Sequence, residues 1–162
     1  MEPNTITESN RIMTWWMRLS RWPAGPWLFS VALGRVAPYS GTVGAWVETL
    51  TPGFARVHLR DRRRVRNHLR SIHAIALINL GEIATGLAVL SSIPPDMRGI
   101  VTGIRAEYLK KARGNLIAEA EFQLPEISQS DTPCEVEANL RDASGDVVTR
   151  VRAIWRIGYK AS

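Results

Sequence analysis

The segment from Ser71 to Ser92 constrains the fold more than any other part of the chain. It reads SIHAIALINLGEIATGLAVLSS, and Glu82 is its only formally charged residue. Its length and its many small residues predict a helix rather than a strand. A helix that is apolar on every side is buried on every side, so this one predicts a core helix. A transmembrane span with one acidic residue is the alternative, but the half-buried strands on either side favour a helix inside a sheet protein.

The chain on both sides of this helix predicts an antiparallel sheet. Apolar and polar residues alternate in six segments, which is typical of strands that have one buried face. Two segments precede the helix, at 44–50 and 54–60, and four follow it, at 103–110, 115–122, 135–141 and 147–157. This order of elements predicts an α+β domain at residues 41–160, with the sheet wrapped around one long apolar helix.

Residues 1–40 predict a tail and a helical extension in front of this domain. Residues 1–9 resemble a flexible tail, and Asn10 is placed to cap a helix that ends near Ser20. The WPAGP sequence at 22–26 breaks this helix, and a second one is expected at 27–36. The region is rich in tryptophan, at Trp15, Trp16, Trp22 and Trp27. We expect these indoles to pack on the domain or to cover a pocket, with contact to a membrane surface as the alternative.

Charge and cysteine content narrow the classes of partner. The 162 residues, enough for one domain, include 21 basic and 15 acidic residues, and seven arginines fall between Arg56 and Arg70. Such a cluster suits phosphate or anionic lipid, or it is a solvated loop and strand end. Nucleic acid is not expected, because no aromatic residues are interleaved with the arginines. The single cysteine, Cys134, favours a cytoplasmic location, and no Cys/His cluster has the spacing of a metal site.

Glu82 is an acidic residue in the middle of the least polar predicted helix of the chain. A buried carboxylate without a partner costs several kcal/mol. It therefore faces a pocket or an interface, or a distant group balances its charge. One interpretation is a nucleophile or general base in an apolar cleft, where desolvation raises its pKa. The other is a glutamate that is hydrogen-bonded across a dimer interface and does no chemistry.

His73 lies at the start of the same helix, nine residues before Glu82. Nine residues place the two side chains on opposite faces and about 13–14 Å apart along the axis. They form a joint site only if Glu82 meets His73 of a second subunit, as a two-fold dimer allows. The free N–H groups at the helix start, those of His73 or Ala74, are suited to bind the oxygen of a polarised carbonyl.

Two asparagines lie near these groups. Asn67 precedes His73 by six residues, and it is placed to hydrogen-bond a substrate, to hold water or to fix the loop before the helix. Asn79 precedes Glu82 by three residues, and it is placed to orient that carboxylate, to pair across an interface or to make a structural hydrogen bond.

The segment Asn67–His73, NHLRSIH, followed by Glu82 resembles the motif of hotdog-fold acyl-CoA thioesterases of the phenylacetyl-CoA type. That motif has Asn, His six residues later and an acid nine residues after the His. The segments 105–121 and 142–157 are similar to the later hairpins of these enzymes, so the resemblance covers about residues 41–158. The chain resembles most a branch with an apolar N-terminal extension and an NHxxxxHAxxxxNLxE signature.

This resemblance implies a hotdog fold, a homodimer or homotetramer, and hydrolysis of an acyl-CoA or acyl-carrier thioester without a cofactor. It implies that Glu82 is the nucleophile or general base, that the Ala74 N–H binds the oxyanion and that Asn67 positions the thioester or water. It also implies that His73 holds the helix start. The family has His-Gly-Gly where this chain has His73-Ala74-Ile75, which implies a narrower or shifted route for the acyl group.

Coenzyme A carries phosphates that need cations at the mouth of the pocket. Lys111 and Arg113, which follow the first strand after the helix, are the candidates of choice, together with Lys110 and the arginines at 62–66. The alternative for these residues is a plain solvated edge, where basic side chains also discourage pairing of sheets.

Two other functions remain open at this point. Because Ala74 and Ile75 stand where the family has Gly-Gly, the chain also suits a protein that binds a fatty-acyl group or lipid without hydrolysing it. The tryptophan-rich segment would then be a lid over the ligand. A hotdog dehydratase or hydratase is less expected, because LRSI stands at 69–72 where such enzymes have Pro-Gly before the helix.

Overall fold

An antiparallel sheet wraps around one long helix in this computed structural model, which describes residues 10–127 and 131–160. The helices of the described chain are α1 Arg11–Leu19, α2 Gly25–Val36, α3 Pro38–Gly41 and α4 Ala74–Ser92, with a 3₁₀ turn at Arg63–Val65. Its strands are β1 Trp46–Thr51, β2 Phe54–Leu59, β3 Met97–Tyr108, β4 Leu116–Glu121, β5 Thr132–Arg141 and β6 Val147–Tyr159. The strand order is β1-β2-β4-β5-β6-β3, with every neighbouring pair antiparallel.

The helix α4 forms the core, as its composition predicts. Thirteen of its 19 residues are buried, and it contacts all six strands. Among the described residues it is the one helix that is long and apolar enough to cross a membrane, yet 72% of its most apolar window is buried within the protein. A Cβ at Gly81 would overlap the Val151 side chain, so this glycine lets α4 lie directly on β6. The membrane alternative is therefore not needed to explain its composition.

The helix begins three residues later than expected, at Ala74 instead of Ser71. The residues in front of it are extended because their backbone groups bond to other segments. The Ile72 N–H donates to Ala112 O at 2.8 Å, and the His73 N–H donates to Val65 O at 2.8 Å. These two bonds hold the start of α4 between the 3₁₀ turn and the β3–β4 loop.

The strand β3 begins at Met97, six residues before the expected start at Gly103. A β-bulge between Val101 and Gly103 interrupts the alternation of side chains, which hid the first half of the strand from the sequence pattern. β3 pairs with β6 on one side and forms an edge of the sheet on the other. Its twelve residues include exposed apolar side chains at Ile100, Ile104 and Tyr108.

The N-terminal extension packs against α4 and β1. Asn10 caps α1 as expected, since its Oδ1 accepts from the Ile12 N–H at 3.1 Å, and its Nδ2 donates to Leu90 O and Ile93 O. The second helix begins at Gly25 and not at 27, because the proline at 26 lies in its first turn, where no N–H is needed. The expected tail at 1–9 lies outside the described residues.

The tryptophans of the extension do not share one environment. Trp16 is buried, and its ring packs edge-on against Phe29 at 5.2 Å. Trp15, Trp22 and Trp27 are 49%, 69% and 61% exposed, so they are not buried against the domain, although Trp15 and Trp27 line surface pockets. Trp15 and Trp16 are neighbours in α1 and therefore point to different sides of the helix, of which only the Trp16 side faces the domain.

Candidate active site

Glu82 faces the N-terminal extension from the middle of α4. The carboxylate is partly buried, and its Oε2 accepts a hydrogen bond from the Ser40 hydroxyl of α3 at 3.5 Å. No cation forms an ion pair with it within residues 10–127 and 131–160. Burial raises the pKa of Glu82 above its usual value, and the weaker effect of the Ser40 bond lowers it. The arrangement provides a carboxylate with increased basicity beside apolar helix residues.

Asn79 lies on the same face of α4, one turn before Glu82. Its Nδ2 donates to Tyr39 O at 3.4 Å, so its amide contacts the extension and not the Glu82 carboxylate. Its Oδ1 is buried and has no hydrogen-bond partner in the described protein. A buried acceptor of this kind costs free energy unless a donor meets it. Asn79 Oδ1 is therefore suited to accept a hydrogen bond from a ligand N–H or O–H.

A cavity of about 260 Å³ lies at the start of α4. Asn79 and Tyr39 line it together with His73, Ile75 and Ala76. It thus extends from Asn79 to the first turn of the helix, where N–H groups and the positive end of the helix dipole favour an anion or a polarised carbonyl.

His73 is the N-cap of α4, which agrees with its expected role at the helix start. Its Nδ1 accepts from the Ile75 N–H at 3.1 Å, and its side chain is exposed. The Ala74 N–H makes no hydrogen bond within the described chain. The Tyr108 hydroxyl donates to Ala74 O at 3.4 Å, so the edge strand β3 ends beside this turn.

Asn67 fixes the loop before the helix, the third of the roles that the sequence left open. Its Oδ1 accepts from Leu69 N at 2.9 Å, from Ser71 N at 3.2 Å and from Ser71 Oγ at 3.1 Å. An oxygen with three donors has no capacity left to accept from a water, whereas a thioester carbonyl would accept from the Nδ2 of Asn67. The carbonyl oxygen of Asn67 thus acts on the backbone that positions His73.

The three basic residues of the β3–β4 loop differ in their contacts. Lys110 forms ion pairs with Asp142 at 2.7 Å and Asp146 at 2.8 Å, which raise its pKa to about 12. Lys110 therefore holds the β5–β6 turn and is not free for a phosphate. Lys111 and Arg113 are exposed and make no ion pair in the described part of the chain.

Sequence reasoning missed α3, which supplies Ser40 and the Tyr39 carbonyl. α3 has only four residues, Pro38–Gly41, so no helical periodicity develops in it. The proline at its first position is the one local signal for a helix start. Nothing in the sequence indicates that this turn lies over Glu82, because the two segments are 42 residues apart.

The architecture and this site define the class of protein: an α+β hotdog fold in which a six-stranded antiparallel sheet encloses one long helix. The chain belongs to the family described as a domain of unknown function, DUF4442, whose family model matches residues 25–157. The match begins at the first residue of α2, so α2 and α3 lie within the region that the family model covers, and α1 lies before it.

Several solved structures share this fold. The structural-genomics protein APC5556 is 31% identical, with 93% of this chain and 98% of that chain covered and a TM-score of 0.77. Pseudomonas aeruginosa PA5026, described as a protein of unknown function and a probable thioesterase, is 24% identical over 78% of this chain and 91% of that chain, with a TM-score of 0.71. A thioesterase family protein from Silicibacter pomeroyi is 18% identical over 81% and 96% of the two chains, with a TM-score of 0.69. No curated protein matches the chain.

These comparisons confirm the expected hotdog fold and the resemblance to hotdog thioesterases. At 24% and 18% identity, the likeness of the two proteins with thioesterase descriptions extends to the fold and not to the identity of the substrate.

Proposed function

We propose that this protein is a thioesterase that hydrolyses an acyl-CoA or acyl-carrier thioester, with Glu82 as the nucleophile or general base. The observation that carries the proposal is the environment of Glu82. It is the one acid of an otherwise apolar core helix, its pKa is raised by burial, and a neutral hydroxyl is its hydrogen-bond partner. The shared fold of several proteins described as thioesterases supports the same reaction class.

Glu82 serves the reaction in one of two ways. As a general base it takes a proton from water while the water oxygen attacks the thioester carbonyl. The C–S bond then breaks, and the proton passes to the thiolate, which gives a carboxylic acid and a free thiol. As a nucleophile the carboxylate oxygen attacks the same carbon, expels the thiolate and forms an anhydride that water hydrolyses.

The oxyanion of this reaction needs donors, and the first turn of α4 offers the Ala74 N–H. Glu82 and Ala74 of one subunit are eight residues apart, which is about 12 Å along the helix axis. They cannot reach the same carbonyl carbon from one helix. We therefore propose a homodimer in which Glu82 of one subunit and the Ala74 N–H of the partner subunit form each site.

The edge of the sheet supports such a dimer. β3 presents twelve residues of backbone on its free side, together with the exposed Ile100 and Ile104 side chains. A long, apolar edge strand is a template for pairing with another chain. The Tyr108–Ala74 hydrogen bond places the end of this edge beside the start of α4, so a partner that pairs along β3 comes close to the proposed oxyanion donor.

A non-catalytic protein that binds a fatty-acyl ligand is the second candidate, and the first turn of α4 favours it. Ile75 is 50% exposed where related enzymes are glycine-rich, and its side chain reduces the room for a thioester beside the helix start. Tight acyl binding without release of free thiol would support this second function.

The test is release of free thiol from acyl-CoA substrates that range from acetyl to palmitoyl and include phenylacetyl-CoA. We expect Glu82→Gln to lower kcat by about 100-fold or more, because glutamine neither accepts a proton nor attacks a carbonyl. Glu121→Gln, at an exposed glutamate of β4 that makes no ion pair in the described chain, is the matched control, and it should retain the wild-type kcat. A native protein that releases no thiol from any substrate, or a fully active Glu82→Gln variant, contradicts the proposal.

A further inference from the structure

A second, larger cleft lies on the outside of the molecule, between α2, α3 and the ends of β1 and β2. Its volume is about 870 Å³, which lies within the range of about 300–1,000 Å³ that is usual for small-molecule sites. Two indoles and three guanidinium groups are among its walls, from Trp27, Trp46, Arg35, Arg60 and Arg62. No acidic side chain of the described chain lines it.

The arginines of this cleft lack carboxylate partners. Arg56 of β2 pairs with Glu119 at 2.6 Å. By contrast, Arg35, Arg60 and Arg62 form no ion pair in the described residues. Arg62 is held by backbone carbonyls: its Nη2 donates to Gly44 O at 2.9 Å, and its Nε is buried without a partner. Burial and the neighbouring arginines lower the pKa of Arg62, so an anion would relieve an unfavourable local charge.

Gly44 shows how closely the cationic groups are packed. Its φ is +62°, and a Cβ there would overlap the guanidinium groups of both Arg62 and Arg64. Two guanidinium groups therefore share the space next to one glycine, with repulsion between them. The concentration of positive charge beside the cleft favours an anion such as a phosphate group.

The indoles provide an apolar counterpart to the arginines. Trp46 is stacked on His58, with ring centroids 4.4 Å apart, so one of its faces is occupied. Trp27 is 61% exposed and has no ring partner in the described chain. Its free face is suited to stack on the base of a nucleotide.

A small cavity of about 20 Å³ lies between this cleft and the Ser40 side chain, which contacts Glu82. The two spaces share Ser30, Gly34, Gly41 and Ala45 in their walls. The inner one also reaches Ser40, which donates to Glu82, and Ile83, which follows Glu82 in α4. The cleft thus lies on the Ser40 side of Glu82, and the space between them, with room for about one water, must widen for the arm of a ligand to pass.

We infer that the cleft binds the nucleotide end of coenzyme A, with the phosphates on Arg35, Arg60 and Arg62 and the adenine on Trp27. This inference rests on the proposed thioesterase function, and it places the phosphates on the arginines of the β2 end and α2 instead of Lys111 and Arg113. The N-terminal extension then supplies both a wall of the nucleotide site and the hydroxyl that contacts Glu82.

The first experiment is calorimetric titration of the full chain with adenosine 3′,5′-bisphosphate, which carries the adenine, the 3′-phosphate and the first of the two 5′-phosphates of coenzyme A. We expect Arg35→Gln, Arg60→Gln and Trp27→Ala each to weaken binding about tenfold. Arg35 and Arg60 are exposed, so these changes leave the fold intact where Arg62→Gln would disturb buried groups. Arg63→Gln is the matched control: an exposed arginine of the same cluster outside the cleft, which should bind like the wild type.

The second experiment compares acyl-CoA with the N-acetylcysteamine thioester of the same acyl group, which lacks the nucleotide. In Arg35→Gln and Arg60→Gln, kcat/KM for acyl-CoA should fall about tenfold relative to kcat/KM for the short thioester. The fall should come from a higher KM for acyl-CoA. If the wild type cleaves neither thioester but binds the bisphosphate in the cleft, the proposed function fails and the site stands.

Three results would overturn the site while leaving the thioesterase function in place. One is hydrolysis of acyl-CoA with an unchanged kcat/KM relative to the short thioester in both arginine variants. Another is binding of inorganic phosphate as tight as that of the bisphosphate, with no effect of Trp27→Ala. The third is a KM that rises in the arginine variants for an acyl-carrier-protein thioester, which carries no adenosine, and stays unchanged for acyl-CoA.

Discussion

Ser40 of the N-terminal extension donates a hydrogen bond to Glu82 of the core helix at 3.5 Å, across 42 residues of sequence. This is the one side-chain hydrogen bond of the Glu82 carboxylate in the described chain. The extension is therefore part of the candidate site, and the properties of Glu82 depend on it.

Ser40→Ala should raise the pKa of Glu82 further. The Ser40 hydroxyl stabilises the ionised carboxylate, while burial of Glu82 opposes ionisation and has the larger effect. Since the proposed base or nucleophile is the ionised form, the acid limb of the kcat/KM profile should move to higher pH. The measurement is the pH dependence of thioester hydrolysis. Ser92→Ala, which removes a hydroxyl at the far end of α4, should leave that limb in place, and an unshifted limb in Ser40→Ala would contradict this account.

Glu82→Gln should stabilise the protein at neutral pH. The folded-state pKa of Glu82 lies above the usual value of 4.5, so the folded protein binds the proton more strongly than the unfolded chain does. The free energy of unfolding of the wild type therefore falls as the pH rises from the unfolded to the folded pKa, and the penalty is complete above the folded pKa. Glutamine carries no such penalty.

The measurement for this prediction is thermal unfolding of both proteins across a pH series at one protein concentration. The Tm of Glu82→Gln should exceed that of the wild type at neutral pH, and the difference should shrink as the pH falls below the folded pKa. A wild type that is more stable at neutral pH would show that the ionised carboxylate is well compensated in the folded state.

Ala74→Pro should remove the proposed oxyanion donor without breaking α4. Ala74 is the first residue of the helix, where proline is tolerated, and His73 before it has the extended backbone that proline requires. We expect kcat to fall by about 100-fold, as for loss of one oxyanion donor, while circular dichroism and Tm stay close to the wild type. Ala74→Gly keeps the N–H and should retain most of the rate. Equal activity of the proline and glycine variants would exclude this N–H from catalysis.

The parts of the fold that follow a regular period were predictable from the sequence. α4 was predicted because its apolar composition is unbroken except at Glu82. β2 was predicted because Ala55, Val57 and Leu59 alternate with polar residues, and the structure buries all three fully. The first half of β3 was not predicted, because the bulge near residue 102 shifts the alternation of apolar and polar side chains by one residue.

The candidate site was only partly predictable, since several of its contacts join distant segments. Glu82 and His73 stand out locally, and His73 is the helix cap that its position indicates. Ser40 lies in a helix too short to leave a pattern. The loop contacts of Asn67 were not predictable, because its three donors, all within four residues, are brought together by the backbone conformation of the loop.

The most direct test of the shared site is complementation between two inactive variants. Glu82→Gln and Ala74→Pro chains with different tags are coexpressed, and the mixed dimer is purified through both tags and assayed for thioester hydrolysis. One of its two sites then combines a native Glu82 with a native Ala74 N–H, so we expect about half of the wild-type kcat per dimer. A mixed dimer no more active than either parent, or a native protein that is active as a monomer, would contradict a site built by two subunits.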